Sequence, residues 1–373
     1  MSGGFTPPPL VWETLTGLKD IAEAFPGGAV DLTIGTPFDP PPDAVVEALG
    51  HSGTERGYPP SIGTPAYRQA AADWMERRLG VSVPSSQIAA TIGSKELVAG
   101  VPQWLHLRAP ERDTVLYPAI SYPTYAMGAQ LAGVRSVPLA VRADGTSDLA
   151  AISDEDAGRA LCLWVNSPGN PTGRLDDLGA AAAWGRAHDV PVFSDECYVE
   201  FTWSGPPRTI LEHGTDGVVA VHSLSKRSNL AGARCGFYAG DADLVQYLGQ
   251  LRKHAGFMVP GPVQAAAVVA LGDDVHVDAQ RGRYRARLDL LRDALGRAGL
   301  PVDAPQGAFY LWVPAPGGDG AALTRRLAEE AGILATPGAT YGPAGEGFVR
   351  LALVQPDERI RLAAERLAGS RFG

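Results

Sequence analysis

Residues 223–236 read SLSKRSNLAGARCG and follow directly on an apolar run that begins at Val218. A lysine just past such a run, here Lys226, has its amine partly removed from water, and desolvation favours the neutral, nucleophilic form. Hydroxyl groups flank Lys226 and Arg234 lies eight residues after it, so the segment holds groups that bind phosphate. Taken alone, Lys226 is more simply explained as a solvated surface lysine.

Two further polar motifs stand upstream, at the ends of predicted strands. NSPGNPTG occupies residues 166–173 and SDECY occupies residues 194–198. In a parallel α/β sheet, ligands bind beyond the carboxyl ends of the strands. We therefore expect Asn170, Asp195 and Lys226 to lie at one edge of a sheet, although polar residues follow strands in many α/β proteins.

Secondary structure alternates along most of the chain. Glycine and proline, 45 and 31 residues, occur at short intervals, and between them β-rich runs alternate with stretches of helical periodicity, as in βαβ units. From Gly307 the order changes to strand, helix, strand, strand, helix, which predicts a smaller α+β domain. The predicted strands are Thr114–Tyr117, Ala160–Asn166, Pro191–Ser194, Val218–Ser223, Gly236–Ala239, Phe309–Val313 and Gly347–Val354. The predicted helices are Pro65–Arg78, Lys95–Leu105, Leu175–His188, Ala242–His254 and Val263–Ala298, the last broken near Gly272.

Composition narrows the class of protein. The chain has 373 residues, 45% of them hydrophobic, and a net charge of −9, which argues against nucleic acid and anionic membranes as partners. Its three cysteines are far apart, which favours a reducing compartment over a disulfide framework. Neither a signal peptide nor an apolar run long enough to span a bilayer is visible, so we expect a soluble, cytoplasmic enzyme. The seven histidines are isolated, and no metal site is predicted.

The ordered set of motifs is more specific than any one of them. NPTG at residues 170–173, then Asp195 with Tyr198, then S-x-x-K ending at Lys226 and Arg234 after it, resemble class I/II aminotransferases dependent on pyridoxal 5′-phosphate (PLP). This family is the aspartate aminotransferase superfamily of fold type I. The resemblance covers most of the chain.

The resemblance implies a two-domain architecture. It predicts an α/β fold with a mostly parallel central sheet flanked by helices, plus a smaller α+β domain. Residues 1–40 would pack with the small domain, residues 41–260 would form the large PLP-binding domain, and residues 261–373 would form the small C-terminal domain with a linking helix.

Four residues are implied to act on the reactive part of the cofactor. By resemblance, Lys226 forms the internal aldimine with PLP and then moves a proton between the substrate Cα and the cofactor's C4′. Asp195 faces the pyridine nitrogen, where an anion favours the protonated, electron-withdrawing ring. Asn170 and Tyr198 hydrogen-bond the 3′-oxygen.

A second set is implied to bind the cofactor phosphate. TIGSKE at residues 91–96 resembles a turn that opens a helix, which would direct the amides of Ser94 and Lys95 to the phosphate. Ser223 and Arg234 complete this set by resemblance. Without the resemblance, the Gly-Ser turn is equally an ordinary helix cap.

An aromatic side chain is implied to stack on the cofactor ring. In SYPTY, residues 121–125, Tyr122 matches that position and Tyr125 is the second choice. Either one is equally well explained as a core tyrosine.

Substrate contacts are implied at three further places. Arg350 in FVRLALV matches the arginine that binds the α-carboxylate, because a guanidinium makes two-pronged contacts with a carboxylate. The backbone of Gly35 in IGTP and the side chain of Asn170 also match substrate-binding positions. Tyr58 matches a tyrosine that reaches the phosphate of the neighbouring subunit, so the resemblance implies a homodimer with shared active sites.

Several strings narrow the reaction. VDLTIGTPFDP at residues 30–40 and RKHAGFMVPGPVQAA at residues 252–266 look most like actinobacterial N-succinyldiaminopimelate aminotransferases of lysine and diaminopimelate biosynthesis. The implied cycle is ping-pong, with glutamate as amino donor and 2-oxoglutarate as the returning keto acid. Ala233 stands where this family more often has an aromatic residue, so the resemblance does not define the shape of the pocket there.

The scaffold leaves other functions open, because fold does not fix function. The chain is alternatively an aminotransferase for another substrate, such as prephenate or a secondary-metabolite precursor, or a PLP-dependent C–S lyase. A PLP-sensing regulator is disfavoured, because only about 30 residues precede IGTP, too few for a helix-turn-helix domain.

Overall fold

The computed structural model describes residues 5–9, 11–142 and 144–373. These residues form two compact units, which are described separately. The larger unit contains residues 36–285 and 305–309. The smaller unit contains the described residues up to Gly35, together with residues 286–304 and 310–373.

The larger unit alternates helices and strands over most of its length. Its helices are α3 (Asp43–His51), α4 (Pro65–Leu79), α5 (Ser94–Arg108), α6 (Thr124–Ala132), α7 (Asp154–Arg159), α8 (Leu178–His188), α9 (Leu224–Arg227), α10 (Ala242–His254), α11 (Gly261–Gly272) and the first half of α12 (Val275–Arg297). Its strands are β2 (Ile88–Thr91), β3 (Thr114–Pro118), β4 (Arg135–Leu139), β5 (Ala160–Asn166), β6 (Val192–Asp195), β7 (Val218–Ser223) and β8 (Gly236–Gly240).

Local sequence sets where these elements begin and end. In α4, the Thr64 side chain accepts a hydrogen bond from the Tyr67 amide at 3.2 Å, and Pro65 occupies the first turn, where its missing N–H costs nothing. The same helix ends at Gly80, whose φ of 70° lies in the left-handed region that glycine adopts without strain.

The seven strands of the larger unit form one sheet in the order β2-β8-β7-β6-β5-β3-β4. Strands β3 to β7 are parallel, whereas β8 runs antiparallel to both of its neighbours. Strands β5, β6 and β7 are buried along their whole length, because apolar helices cover both faces. One core layer includes side chains of α3, α4, α8 and α11, and the other includes side chains of α5, α6 and α10.

This sheet places the predicted polar residues at one edge. Asn166, Asp195 and Ser223 are the last residues of β5, β6 and β7. Asn166 lies opposite Asp195 in the parallel register. The carboxyl ends of three neighbouring central strands therefore meet where ligands of open α/β sheets bind.

The smaller unit contains two short sheets. Its elements are α1 (Val11–Thr14), α2 (Thr16–Glu23), β1 (Val30–Asp31), the second half of α12, β9 (Tyr310–Pro314), α13 (Gly320–Ala331), β10 (Ile333–Leu334), β11 (Thr336–Pro337), β12 (Phe348–Ala352) and α14 (Asp357–Ala368). Strands β11, β12 and β9 form an antiparallel sheet in that order, and β1 pairs in parallel with β10.

The predicted fold class is confirmed. The predicted C-terminal domain begins at residue 261, whereas residues 261–285 belong to the larger unit, because α11 packs against α3 and α4. The predicted N-terminal segment ends at residue 40, whereas the larger unit begins at Thr36. The predicted break near Gly272 is present between α11 and α12. Within the described ranges, no helix is long and apolar enough to cross a membrane.

Candidate active site

Lys226 lies on α9, a single helical turn that follows β7 directly. The turn begins at Ser223, whose hydroxyl accepts a hydrogen bond from the Ser225 amide at 3.2 Å. Lys226 is half-buried between the buried residues Ser225 and Arg227. The one-turn helix therefore holds the lysine backbone at the carboxyl edge of the sheet.

Asp195 is a buried carboxylate held by two donors. The Tyr125 phenol donates to its Oδ2 at 2.8 Å, and the Cys197 amide donates to its Oδ1 at 3.2 Å. Burial raises the pKa of Asp195 above its ordinary value. Hydrogen bonds from Cys197 and Tyr125 and the charge of Lys226 offset part of this rise, because each of them stabilises the ionised carboxylate.

Asn166 braces the strand ends beside Asp195. Its side-chain amide donates to the Asp195 carbonyl at 2.8 Å, and its side-chain oxygen accepts from the Asn170 amide at 2.7 Å. Asn170 is buried and borders a polar cavity of about 30 Å³ that Ser121 and Arg174 also line. The predicted Asn170 is thus fixed next to the end of β6, at the wall of an open polar space.

Tyr198 follows Asp195 in a short loop and is buried. Its ring packs edge-on against Phe309 with a centroid distance of 5.3 Å. The 3₁₀ turn Val199–Phe201 begins directly after it. The contact with Phe309 restricts the Tyr198 ring, and the 3₁₀ turn after it restricts its backbone.

A cationic turn lies at the start of α5. Gly93 precedes the helix with a φ of 68°, and a Cβ at this position would overlap the Arg234 guanidinium. Arg234 donates to the Ala231 carbonyl at 2.9 Å, which directs its side chain back across the turn. Ser94 and Lys95 are the first residues of α5, so their amides are at the helix N-terminus beside a cation.

Tyr122 and Tyr125 have different roles in the structure. Tyr122 is half-buried, 6.0 Å from the Lys95 Nζ, whereas Tyr125 is buried and stacks on Trp164 at 5.2 Å. The two rings are perpendicular, with centroids 6.0 Å apart. Tyr122 therefore remains the candidate for ring stacking, and the second-choice Tyr125 is a core tyrosine that also binds Asp195.

The residues of the larger unit fit PLP by the chemistry of their donors. A phosphate requires cations and N–H groups, which Arg234 and the N-terminus of α5 supply. A glycine at residue 93 keeps this place open, because a Cβ there would overlap the Arg234 guanidinium. A pyridinium nitrogen requires an anion, which the buried Asp195 supplies. An aldehyde requires a primary amine, which Lys226 supplies.

The smaller unit holds the predicted arginine in a different setting. Arg350 is buried in β12, and its guanidinium lies between the rings of Tyr310 and Tyr341, 4.3 and 4.9 Å from their centroids. It also donates to the Thr33 carbonyl. Gly35 lies close by, because a Cβ there would overlap the Tyr310 hydroxyl.

Tyr58 differs from these buried groups in its exposure. It occupies the loop between α3 and α4, and its side chain is 97% exposed. Its contact with a neighbouring subunit stays a prediction.

Some functional contacts were not foreseen from the sequence. The bond from Tyr125 to Asp195 and the brace at Asn166 depend on strand register, although the three-residue spacing of Tyr122 and Tyr125 at the start of α6 is a signal. Arg252 is buried, donates to the Ala90 carbonyl at 2.6 Å and pairs with Glu96, which indicates a structural role. Burial and the Asp195 charge raise the pKa of the Cys197 thiol, which disfavours a nucleophilic role for it.

The chain matches a known family along most of its length. The family model described as aminotransferase class I and II matches residues 28–367. The chain is 43% identical over 368 residues to the 4-dedimethylamino-4-oxo-anhydrotetracycline transaminase OxyQ of Streptomyces rimosus, covering 96% of this chain and 99% of that protein. It is 37% identical over 376 residues to the LL-diaminopimelate aminotransferase of Desulforudis audaxviator, covering 97% and 95%.

A solved structure shares the fold at similar coverage. It is described as a probable N-succinyldiaminopimelate aminotransferase from Thermus thermophilus, with a TM-score of 0.87 and 33% identity. The match covers 96% of this chain and all of that one.

Proposed function

Because the chain belongs to the class I and II aminotransferases, which use PLP, we propose that its substrates are N-succinyl-LL-2,6-diaminopimelate and 2-oxoglutarate. The reverse reaction takes glutamate as amino donor and N-succinyl-2-amino-6-ketopimelate as acceptor. The observation that carries this proposal is the 33% identity, over 96% of the chain, to a probable N-succinyldiaminopimelate aminotransferase.

The proposed chemistry needs a base at the substrate Cα and a fixed carboxylate nearby. When bound, the cofactor supplies an electron sink that stabilises negative charge at Cα. We assign to the Lys226 amine the transfer of the Cα proton. Asp195, which accepts hydrogen bonds from Tyr125 and the Cys197 amide, would face the pyridine nitrogen and favour its protonated form.

We assign substrate orientation to Arg350. Its guanidinium is planar, and the flanking rings of Tyr310 and Tyr341 restrict its rotation. A fixed guanidinium binds a carboxylate through two parallel hydrogen bonds, which orients the amino acid as well as binding it. The backbone of Gly35 and the side chain of Asn170 are the other proposed substrate contacts.

The proposed assembly is a homodimer with shared active sites. Its motivation is Tyr58, an aromatic side chain that is 97% exposed on the loop between α3 and α4. We propose that this phenol binds the cofactor phosphate of the second subunit. Sedimentation velocity of Tyr58→Phe and the parent protein, with PLP affinity measured in parallel, tests this: weaker PLP binding by an intact dimer supports the contact, and unchanged binding contradicts it.

A second candidate acceptor is a polycyclic ketone. The 43% identity to OxyQ, named for a 4-oxo-anhydrotetracycline, favours it. A ring ketone has no α-carboxylate, so Arg350 would contribute to the glutamate half-reaction only. The two candidates therefore differ in which half-reaction depends on Arg350.

One titration tests both candidates. The absorbance of the PLP-loaded protein is recorded after glutamate and then after N-succinyl-2-amino-6-ketopimelate, a polycyclic ketone, or 2-oxoglutarate. Reversal of the glutamate-induced change by the succinylated keto acid, with the highest kcat/KM of the three, supports the proposal. Reversal by the ketone alone moves the function to the second candidate, and pyruvate release from a cysteine conjugate without a glutamate response points to a lyase.

A further inference from the structure

Arg227 is a buried arginine directly after Lys226 on α9. Its guanidinium donates to the Ala270 carbonyl at 2.6 Å, to the Asp273 carbonyl at 3.3 Å and to the Asp274 carboxylate at 3.1 Å. Its Nε donates to Glu200 Oε1 at 3.2 Å. One side chain therefore joins the lysine-bearing turn to the end of α11 and to the loop that follows β6.

Glu200 is the acceptor of the hydrogen bond from the Arg227 Nε. It is buried in the 3₁₀ turn Val199–Phe201, two residues after Tyr198. Its Oε1 also accepts from the Trp74 indole at 2.8 Å, and its Oε2 accepts from Arg78 at 3.0 Å. Both carboxylate oxygens of Glu200 are thus occupied by donors from α4 and α9.

The buried ion pair of Arg227 with Glu200 lies next in the chain to two residues predicted to contact the cofactor. A four-residue helix has almost no stability of its own, so tertiary contacts determine where α9 lies. Burying two charges costs desolvation energy that an apolar pair would not, so a buried pair is weak evidence for stability. Lys226 directly precedes Arg227 in the chain, and Tyr198 lies two residues before Glu200.

We propose that Arg227 and Glu200 are positioning residues for the reaction. The pair fixes the turn that carries Lys226 relative to the loop that carries Tyr198. A substitution of Arg227 or Glu200 therefore displaces Lys226 or Tyr198, although both of these side chains are still present. The inference rests on the proposed role of Lys226.

The charges around the pair determine the sign of an electrostatic test. Arg78 faces Glu200 from α4, Asp274 faces Arg227 from the turn before α12, and the Arg281 guanidinium donates to the Glu200 carbonyl from α12. On α12, the Asp278 carboxylate pairs with Arg78. His276, also on α12, bonds Asp273 at 2.9 Å and the Ser228 hydroxyl at 3.0 Å.

Two titratable side chains at the end of β6 and in the loop after it also act on Lys226. Asp195 and Cys197 interact with it electrostatically. Against this fixed background, removing the Arg227 charge leaves the surroundings more negative, and removing the Glu200 charge leaves them more positive.

The experiment compares Arg227→Met, Arg227→Lys and Glu200→Gln with the parent protein. Arg77→Met is the matched control, because Arg77 binds Asp274 at 3.2 Å and the Leu271 carbonyl at 2.7 Å without bonding Arg227 or Glu200. Lys226→Ala is the control for the proposed function. The readouts are the midpoint pH of the absorbance change of the PLP-loaded protein, kcat and KM for glutamate, and thermal unfolding without PLP.

A positioning role predicts a defined pattern. Arg227→Met raises the midpoint pH and Glu200→Gln lowers it, since a cation disfavours and an anion favours a protonated nitrogen. Both lower kcat by about 10- to 100-fold with a smaller change in KM, the scale expected for about 1 Å of misplacement. Arg227→Lys, which keeps the charge, restores the midpoint and part of kcat, and Arg77→Met changes neither.

Two results overturn the inference. If the Arg227 and Glu200 variants lower only the unfolding temperature, with midpoint and kcat unchanged, the pair is structural. If both midpoints move in the same direction, the electrostatic argument is wrong. If Lys226→Ala keeps the absorbance of the parent, the proposed function itself fails, which is a separate outcome.

Discussion

The two side chains proposed to act on the substrate, Lys226 and Arg350, are held in different ways. Lys226 sits on a one-turn helix at a strand end, in a region where hydrogen bonds and ion pairs hold the backbone. Arg350 lies within a strand, between two tyrosine rings and against a backbone carbonyl. The first region orders a loop through polar contacts, and the second restricts one side chain through aromatic contacts.

This difference follows from the chemistry proposed for each group. A base that moves a proton needs an amine placed to within a fraction of an ångström, and loops reach that precision only when their backbone is braced. A carboxylate receptor needs a rigid, permanently charged fork, which flanking rings supply without neutralising it. We therefore expect changes near Lys226 to act mainly on kcat and changes near Arg350 to act mainly on KM.

The largest expected effect is at Lys226. Lys226→Ala should lower transamination by about 10⁴-fold or more, because it removes both a covalent partner and a base. Stopped-flow absorbance with glutamate measures the loss. Lys253→Ala, an exposed lysine on α10, is the control and should keep parental rates. Full activity of Lys226→Ala contradicts the assignment.

Asp195→Asn should bind PLP and react about 100-fold more slowly, the usual scale for losing one preorganised electrostatic contact. The variant keeps the shape of the side chain but cannot hold a proton on the ring nitrogen. Half-reaction rates with glutamate and PLP affinity are measured together, with the exposed Asp216→Asn as control. A normal rate at full PLP occupancy would remove Asp195 from the mechanism.

Arg350→Lys tests the other side of the comparison. It keeps the charge but loses the two-pronged contact, which should raise KM for glutamate about 10- to 100-fold, given about 1.5–3 kcal/mol for charged hydrogen bonds. The absorbance of the PLP-loaded protein should stay the same. Arg325→Lys on α13, with a side chain that is 61% exposed, is the matched control. An unchanged KM would place carboxylate binding elsewhere.

Tyr125→Phe tests the brace on Asp195 and should have a smaller effect. Loss of the 2.8 Å hydrogen bond removes a contact that lowers the pKa of Asp195, so the carboxyl group protonates more readily. We expect PLP affinity to fall by about 10-fold, as for one charged hydrogen bond. Tyr247→Phe, whose half-buried phenol donates to the Trp104 carbonyl at 2.7 Å, controls for losing a phenol hydrogen bond elsewhere in the larger unit. Equal affinities of the two variants would count against the brace.

The smallest effect on activity is expected at Glu196, where the prediction concerns the pH dependence of stability. Burial raises the pKa of this side chain from 4.5 to about 7, so the folded protein binds a proton there that the unfolded chain releases. Its stabilising contribution is complete below pH 4.5 and is lost as the pH rises through 7. Glu196→Gln should therefore gain stability relative to the parent between pH 5 and 8 in urea unfolding. A constant difference across this range would refute the shift.

His222 faces the same carboxylate and does not change this sign. Its Nε2 lies 3.6 Å from Glu196 Oε2, and burial lowers its pKa from 6.5 to about 3, so it is neutral in the folded protein throughout that range. The titration of this histidine in the unfolded chain is common to the parent and Glu196→Gln and cancels in their difference.

Much of the larger unit could be predicted from local sequence. Strands Ala160–Asn166 and Val218–Ser223 have the predicted bounds, because short β-rich runs between glycines and polar residues have few alternatives. Strands β2 and β4 were not predicted, and β4 contains Pro138 and is only half-buried, so its pattern is weak. The antiparallel direction of β8 depends on chain connectivity rather than on its own residues.

The sequence by itself identified the family and indicated the candidate reactive groups. The order and spacing of NPTG, SDECY and SLSK place an amide, a carboxylate and an amine at successive strand ends, and parallel strands bring such ends together. Only the tertiary structure decided which groups support them. Tyr125 on Asp195, Glu200 on Arg227 and the two rings around Arg350 join residues distant in the chain. Such contacts depend on register and packing, which no local pattern encodes.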